Sequence, residues 1–378
     1  MHPSSILSYY PSYEILDEVL SYSKYDTVNF YFDLKNNLQS LYMQHTVYNI
    51  VESSSNTQYV NTSVFESLLS FLYFHKLYCI KRKIKYNFYI FFEVGQSYYH
   101  TNLSKKYKIS RMIDNLYDLD KGKRDLFREV VKKNFQLIFK ACNMMPNIKV
   151  IMLQNLEADF VPYYLVRNKL VSVGDQVAHL IYSNDHDLYQ CVQDNVYIFS
   201  KAGRKKEIIK KNEVMNKYLR LNKGFPDSYL PLAMAIVGDV GDDINGVSGI
   251  ATKRVSDILD EIVSLAGGLD TLFSNVISSK PIFGVDYNGI KNKYVSKIIG
   301  EESKSGLISR NLKLVSFELL SRELDDPSNT SMVEKRNQLL RILGDNRKAK
   351  LDSMKKALEM NRVFLDRDIM EVIYYNGG

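Results

Sequence analysis

The chain has 378 residues, of which 45% are hydrophobic and 25% charged, a composition typical of a soluble globular protein with room for two domains. Its net charge of +7 permits a polyanionic partner without requiring one. Three scattered cysteines argue against a disulfide framework or a cysteine-based zinc site, and the sequence shows neither a secretory signal nor an apolar run of membrane-spanning length. We therefore expect a monomeric cytoplasmic protein with no membrane partner.

Five short segments in the first 200 residues have the composition of β-strands. They are VNFYFDL (28–34), YNFYIFFEV (86–94), NIKVIML (147–153), QVAHLIYSND (176–185) and NVYIFS (195–200). Plausible helices, at 63–83 and 123–145, lie between them. Strands that alternate with helices predict an α/β fold, with a parallel sheet covered on both faces.

The character of the chain changes after Ser200. Strand signals stop, the basic segment KAGRKKEIIKK (201–211) follows, and the remainder to Gly378 is predicted to be helical. We therefore predict an N-terminal extension (1–27), an α/β domain (28–225), a helical domain (226–320) and a C-terminal helical extension (321–378).

Acidic residues follow the first four predicted strands, where ligand sites of parallel sheets lie. They are Asp33, Glu93, Glu157, Asp159, Asp185 and Asp187. A single strand-terminal Asp is commonly a helix N-cap, but capping explains acids after four successive strands poorly. Six converging carboxylates repel one another and need cations to stay ionised. Ligation by carboxylates alone favours Mg²⁺ or Mn²⁺, and two such ions suit phosphodiester hydrolysis.

The segment GDVGDDINGVSGIATKR (238–254) combines three Asp, four Gly and a final Lys-Arg pair. Taken alone, it is equally compatible with a solvated Asn/Asp/Gly loop. Beside the carboxylate cluster, it would supply two more acids, Asp239 and Asp242, from the helical half of the chain.

These residues resemble the structure-specific 5′ nucleases, the flap-endonuclease and 5′–3′ exonuclease superfamily, and most of all its compact phage-type members. Segment 238–254 is similar to the family signature Gly-Asp-x-x-Asp-Asn-x-x-Gly-Val-x-Gly-Ile-Gly-x-Lys. LEADF, YSNDHDLYQCV, YKISR (107–111) and NLKLV (311–315) resemble further family segments in the same order. The resemblance covers about 28 to 318 and implies a PIN-like nuclease domain followed by a helix–hairpin–helix element.

The resemblance implies two metal sites. Asp33, Glu93, Glu157 and Asp159 would hold the first ion, and Asp185, Asp187 and Asp242 the second, with Asp239 in its outer shell. The chain departs from the family in three places: Glu93 stands for the usual Asp, Phe160 for the second Asp of Glu-Ala-Asp-Asp, and Ala251 for the last hairpin Gly.

The resemblance also assigns residues that contact nucleic acid. Gly246 and Gly249 would let the hairpin approach a phosphate, often with a K⁺ ion on its carbonyls, while Lys253 and Arg254 would meet duplex phosphates. An arch near 95–125 would carry Lys108 and Arg111, which would neutralise the scissile phosphate. Tyr98, Tyr99 and Tyr107 in the arch are candidates for base stacking, although packing is the commoner role of tyrosine.

The predicted activity is that of a metal-dependent 5′ nuclease on branched or 5′-ended duplex DNA, and on RNA primers in RNA·DNA hybrids, in replication or repair. The phage-type resemblance would make the compartment a host cytoplasm. Two alternatives remain at this stage. A DNA-binding module that has lost catalysis would have no reason to keep eight carboxylates. A PIN-type ribonuclease would generally lack the hairpin segment.

Overall fold

The protein is built around one six-stranded sheet with strand order β3-β2-β1-β4-β5-β6. The computed structural model describes residues 12–20, 24–34, 63–94, 97–108, 135–202, 205–220, 224–284 and 290–345, with 353, 356 and 372. The strands are β1 (Thr27–Asp33), β2 (Lys85–Val94), β3 (Ile148–Gln154), β4 (Val177–Tyr182), β5 (Val196–Ala202) and β6 (Lys205–Ile209). The pairs among β1 to β5 are parallel, so the predicted fold class is confirmed.

The end of the sheet differs from the prediction. We expected strand structure to stop after Ser200, but β5 and β6 form an antiparallel hairpin that pairs Ala202 with Lys205 and Ile198 with Ile209. Lys205 and Lys206 of the basic segment lie on β6, an edge strand, where charge discourages pairing with further strands, while Ile209 is buried. The periodicity of a charged edge strand is easily mistaken for that of a helix.

Helices cover both faces of the sheet. The described helices of this half are α1 (Tyr13–Val19), α2 (Ser63–Arg82), α3 (Tyr98–Leu103) and α4 (Val161–Arg167), and residues 135–142 are also helical. Successive residues of β1 enter opposite cores: Tyr31 packs with α4, and Phe30 and Phe32 pack with α2. All seven residues of β1 are buried, as expected for a central parallel strand.

The described part of the chain after Ala202 is helical apart from β6 and a short ribbon, β7 (Gly238–Asp239) and β8 (Ile244–Asn245). Its helices are α5 (Val214–Leu219), α6 (Leu230–Val237), α7 (Thr252–Val255), α8 (Leu259–Leu265), α9 (Leu269–Ile277), α10 (Lys293–Ser305), α11 (Leu307–Val315), α12 (Phe317–Asp325) and α13 (Thr330–Gly344). Their apolar residues continue the core on the α4 side of the sheet. The predicted domain boundaries stay predictions.

Polar side chains connect the helices after β6 to one another and to the sheet. The buried side chain of Asn311 on α11 donates from Nδ2 to the carbonyls of Ala235 (2.9 Å) and Asn245 (2.8 Å), so it ties α6 to β8. Gln338 on α13 donates to the carbonyl of Met152 at 3.3 Å, which places α13 beside β3, at the other edge of the sheet from β6.

The three cysteines, Cys79, Cys142 and Cys191, are free and buried, as their scattered spacing predicted. Across the described ranges, the helices are too short or too polar to cross a bilayer.

Candidate active site

The carboxyl ends of β1 to β4 meet at one edge of the sheet, where the acidic residues were predicted to gather. Ser183, directly after β4, connects two of them: its Oγ donates to Asp33 Oδ2 at 3.4 Å and accepts from the amide of Asp185 at 3.1 Å. Asp185 Oδ1 in turn accepts from the amide of Asp187 at 3.1 Å. The turn after β4 is therefore shaped by its own side chains, which hold three carboxylates near the end of β1.

A second group forms around Glu157, which is buried in the loop between β3 and α4. Its Oε1 accepts from the hydroxyl of Tyr107 at 2.7 Å and from the ammonium of Lys108. Asp242 joins from the helical half: its Oδ2 lies 3.6 Å from Lys108 Nζ, and its carbonyl accepts from the Lys108 amide at 3.1 Å. Three segments distant in sequence thus converge on one ammonium group.

The charges of Glu157 and Lys108 strongly affect each other's pKa values. Burial alone would raise the pKa of Glu157, but the charge of Lys108, with hydrogen bonds from Lys108 and Tyr107, outweighs burial and lowers this pKa to about 2. The same carboxylates hold the pKa of Lys108 well above its ordinary value, despite its burial. Glu157 and Lys108 are therefore an ion pair at neutral pH.

For Asp159 and Asp187, the positive charge of Lys108 does not offset the effect of burial. Burial, followed by the charge of Glu157, raises the pKa of Asp159 well above its ordinary value. Burial and the neighbouring Asp185 and Asp159 do the same for the pKa of Asp187. Glu93 adds to the negative field at both Asp159 and Lys108. Without further positive charge, Asp159 and Asp187 therefore favour their protonated forms.

The site suits cations chemically. Asp159 Oδ1 is buried and accepts no hydrogen bond from any described residue, a costly state that a bound cation would relieve. Carboxylate oxygens are the ligands that hard divalent ions take. As the described side chains stand, however, no three His, Cys, Asp or Glu converge tightly enough to hold one ion. The Lys108 ammonium lies among them and supplies the positive charge.

Asp239 and Asp242, predicted together, have different surroundings. Asp242 is 4% exposed and contacts Lys108, whereas Asp239 is half-buried and its Oδ1 accepts from the amide of Gly241 at 2.7 Å. Burial, and after it Asp187 and Asp239, raises the pKa of Tyr218, so both carboxylates lie near this phenol. Asp239 thus shapes its own turn at the outer side of the cluster.

Different physical constraints favour glycine at the two hairpin positions, Gly246 and Gly249. A Cβ on Gly246 would lie 1.9 Å from the carbonyl oxygen of Val237, so the close approach here is to the end of α6. Gly249 is exposed and has φ +74°, a conformation that disfavours other residues. Gly249 is therefore the more exposed of the two glycines.

The predicted basic pair lies beside this hairpin. Lys253 and Arg254 are exposed on α7, whose N-cap is Ala251. The guanidinium of Arg254 lies over the ring of Tyr294 on α10, at 4.3 Å from its centroid, and 3.9 Å from Asp257. The pair therefore faces solvent next to α10.

The predicted arch is described only over residues 97–108, so Arg111 lies outside the described residues. Tyr98 is 61% exposed and Tyr99 half-buried. Tyr107 is 1% exposed and donates to Glu157, so base stacking is wrong for this tyrosine. Phe160, which stands where the family has a second Asp, is a buried core residue beside Tyr164.

Several residues that shape the site could not be predicted from the sequence. His100 stacks on Tyr107, lies 3.9 Å from Glu157 Oε2 and contacts the carbonyl of Leu314 at 3.1 Å. Burial lowers the pKa of His100, which keeps the imidazole neutral. Gln190 donates to the carbonyl of Val315 at 2.8 Å and accepts from the amide of Phe317 at 3.0 Å, which ties the acidic turn to α11 and α12. A lone His or Gln carries no spacing signal that could have revealed these roles.

Comparison with known proteins agrees with this geometry. Residues 39–219 match the family model of the 5′-3′ exonuclease N-terminal resolvase-like domain. The flap endonuclease of Escherichia phage T5 is 27% identical over 228 residues, 59% of this chain and 66% of that protein. A 5′-3′ exonuclease of Aquifex aeolicus is 30% identical over 128 residues, 34% of this chain and 41% of that protein. The chain thus spans less than two thirds of either relative.

The fold is also similar to that of the phage T5 protein. The crystal structure of the phage T5 flap endonuclease, in a pseudo-enzyme–product complex with DNA and metal ions, superposes with a TM-score of 0.53 at 18% identity. The superposition covers 84% of this chain and all of that one. The family model, the two sequence relatives and the shared fold therefore agree on what this chain is similar to, namely 5′-3′ exonucleases and flap endonucleases.

Proposed function

We propose that the protein is a divalent-metal-dependent 5′ nuclease that hydrolyses phosphodiesters in branched or 5′-ended duplex DNA, as a flap endonuclease or 5′–3′ exonuclease. The observation that carries this proposal is the convergence of Glu157, Asp242 and Lys108, from three separate segments, at the carboxyl edge of the sheet. RNA·DNA hybrids are a finer proposal of the same kind.

Two divalent ions, Mg²⁺ or Mn²⁺, would be held by the carboxylates at this edge. Asp33, Glu93, Glu157 and Asp159 would hold the first, and Asp185, Asp187 and Asp242 the second, with Asp239 outside them. Such ions lower the pKa of a bound water and stabilise charge on phosphate oxygens. The raised pKa values of Asp159 and Asp187 support this assignment, because both acids gain most from added positive charge.

The protein's own residues would position the scissile phosphate and neutralise its charge. Lys108 is mostly buried, with 13% of its side chain exposed, and its amide is fixed by the carbonyl of Asp242. It would meet the scissile phosphate at a fixed position, joined by Arg111. Tyr107 and His100 hold Glu157 in place beside it, so the charge pattern exists before substrate arrives.

Duplex DNA would be anchored on the hairpin side. Lys253 and Arg254 would contact backbone phosphates, and Gly249 would allow a phosphate close to the hairpin backbone. A relative of this fold, the phage T5 flap endonuclease, has been crystallised with DNA and metal ions. A positive charge on the hairpin carbonyls, supplied by K⁺ or by the protein itself, is also part of this proposal.

The test is cleavage of end-labelled flap, nicked-duplex and RNA·DNA substrates by the full chain, compared side by side with Mg²⁺, Mn²⁺, Ca²⁺ or EDTA. We expect Mg²⁺ and Mn²⁺ to support cleavage, Ca²⁺ to support binding alone, and EDTA to abolish cleavage. Undiminished cleavage in EDTA, by a preparation free of contaminating nucleases, would overturn the proposal. The ranking of the three substrates decides between flap, exonuclease and primer-removing activities.

A further inference from the structure

The hairpin after β8 already holds a positive charge that belongs to the protein. Lys297, an exposed residue of α10, donates from Nζ to the carbonyl of Ser248 at 2.6 Å. The same Nζ lies 3.9 Å from the position a Cβ would take on Gly249. The ammonium therefore lies against the hairpin, beside the one glycine of the pair that faces solvent.

No acidic partner explains the position of Lys297. Among the described residues, none of the carboxylates lies within ion-pair distance of its Nζ, so the charge stays available to an anion from outside. A lysine on an exposed helix would otherwise extend into water, because an ammonium is strongly hydrated and its stem is flexible. The carbonyl of Ser248 instead holds the charge at the hairpin.

Lys297 belongs to a continuous basic surface. Lys293 lies one turn before it on α10, and the Lys293 ammonium is 5.1 Å from the ring centroid of Tyr294. Arg254 of α7 packs over the same ring. An aromatic face attracts cations, so Tyr294 lets two positive groups share a small area. Arg254, Lys293 and Lys297 thus form a basic surface around the hairpin.

We propose that the Lys297 ammonium is a tethered cation that takes the place of a bound K⁺ at the hairpin and meets a backbone phosphate of duplex DNA there. An ammonium group and K⁺ are of similar size, carry the same charge and both accept carbonyl oxygens as partners. The proposal rests on the proposed function, since it concerns the same duplex. It implies that duplex affinity does not depend on which monovalent cation is in solution.

The experiment compares duplex affinity in KCl and in NaCl at equal ionic strength, by fluorescence anisotropy, for the wild type, Lys297→Met and Lys304→Met. Lys304 is the matched control, because it is an exposed lysine two turns further along α10 and outside the hairpin contact. Ca²⁺ replaces Mg²⁺ to prevent cleavage. Thermal melts confirm that each variant is folded.

We expect equal wild-type affinity in the two salts, and the same for Lys304→Met. Lys297→Met should lose about tenfold in NaCl, the scale of one charge-assisted contact, and recover much of it in KCl, where a free ion can take the position of the ammonium. Three results would overturn the proposal: wild-type binding that favours K⁺, a Lys297→Met variant that behaves like Lys304→Met in both salts, or a loss that K⁺ does not reverse. A wild-type protein that bound no duplex would instead overturn the proposed function.

Discussion

The active-site edge and the hairpin surface use charge in opposite ways. At the active-site edge, acids are buried and lie close together, and the main positive charge, Lys108, comes from the protein itself. At the hairpin, lysines and an arginine are exposed, and their contacts are a carbonyl, an aromatic ring and one distant carboxylate. At the active-site edge the buried carboxylates repel one another, whereas at the hairpin the positive charges remain exposed to solvent.

The difference indicates two separable tasks. Buried charges that must be compensated are sensitive to atomic position, as chemistry requires. Exposed charges act over longer distances, are weakened by salt and recognise any phosphate backbone alike. Changes at the edge should therefore alter rate, and changes at the hairpin should alter affinity.

The largest expected effect is on cleavage by Asp242→Asn. Asp242 is buried against Lys108 and would hold a metal ion, so cleavage should fall by about three orders of magnitude, since metal stabilisation amounts to several kcal/mol. DNA affinity should hold or tighten, because a negative charge beside a polyanion is gone. Single-turnover rapid-quench assays and anisotropy measure the two effects.

Asp239→Asn is the matched control for this prediction. Asn can still accept from the amide of Gly241, so the turn is kept and the loss of rate should be much smaller. Equal losses in the two variants would contradict the distinction between an inner and an outer acid.

Lys108→Ala is expected to come next in size. A single preorganised charge that stabilises the reacting phosphate is worth about two or three orders of magnitude in rate, so turnover should fall by that amount with little change in duplex affinity. Lys106→Ala, at an exposed lysine two residues earlier, should leave the rate nearly unchanged. If Lys108→Ala cleaved normally at saturating DNA, Lys108 would be an anchoring residue.

Part of each region could be predicted from the sequence. Acids that end parallel strands must meet, so Asp33, Glu157 and Asp185 could be placed from strand order alone. The basic pair at 253–254 followed from its position after a glycine-rich turn. In both cases a short local pattern determined where the side chain would lie.

The features that could not be predicted from the sequence depend on contacts between segments that are distant in the chain. Lys297 reaches Ser248 across 49 residues of sequence, and His100 reaches Leu314 across 214. Gly246 was assigned to phosphate contact, but its proximity to Val237 becomes visible only in the folded chain. The strand at Lys205–Ile209 was missed because its lysines mask a short apolar pattern.

A smaller effect is expected on the stability of the metal-free protein as a function of pH. The folded-state pKa values of Asp159 and Asp187 lie above their unfolded values. Their contribution to stability is therefore full below the unfolded pKa and is lost as pH rises through the folded pKa. Mg²⁺ binds the deprotonated acids, so the increase in Tm that it causes should grow by a few degrees as pH rises from the acidic to the alkaline range.

Differential scanning fluorimetry in EDTA or Mg²⁺ across this range measures the effect. Asp159→Asn removes one of the two titrating acids, and it should flatten the pH dependence in EDTA. A Mg²⁺-induced increase in Tm that is constant with pH would mean that the two acids are ionised without metal.

The smallest effect is expected at the hairpin surface, for the double variant Lys253→Ala with Arg254→Ala. Both side chains are exposed, so each contributes a screened phosphate interaction, and affinity should fall alike for every duplex sequence. The slope of log K against log salt should flatten by about 0.9 for each phosphate that is no longer neutralised, and saturating DNA should restore most of the single-turnover rate. Anisotropy titrations across a salt series measure the slope.

The double variant Lys335→Ala with Arg341→Ala is the matched control. It removes equal charge from α13, on the β3 side of the sheet, and should leave the slope unchanged. If the two double variants gave the same slope, the affinity would come from net charge alone, and the hairpin surface would not be a specific anchor.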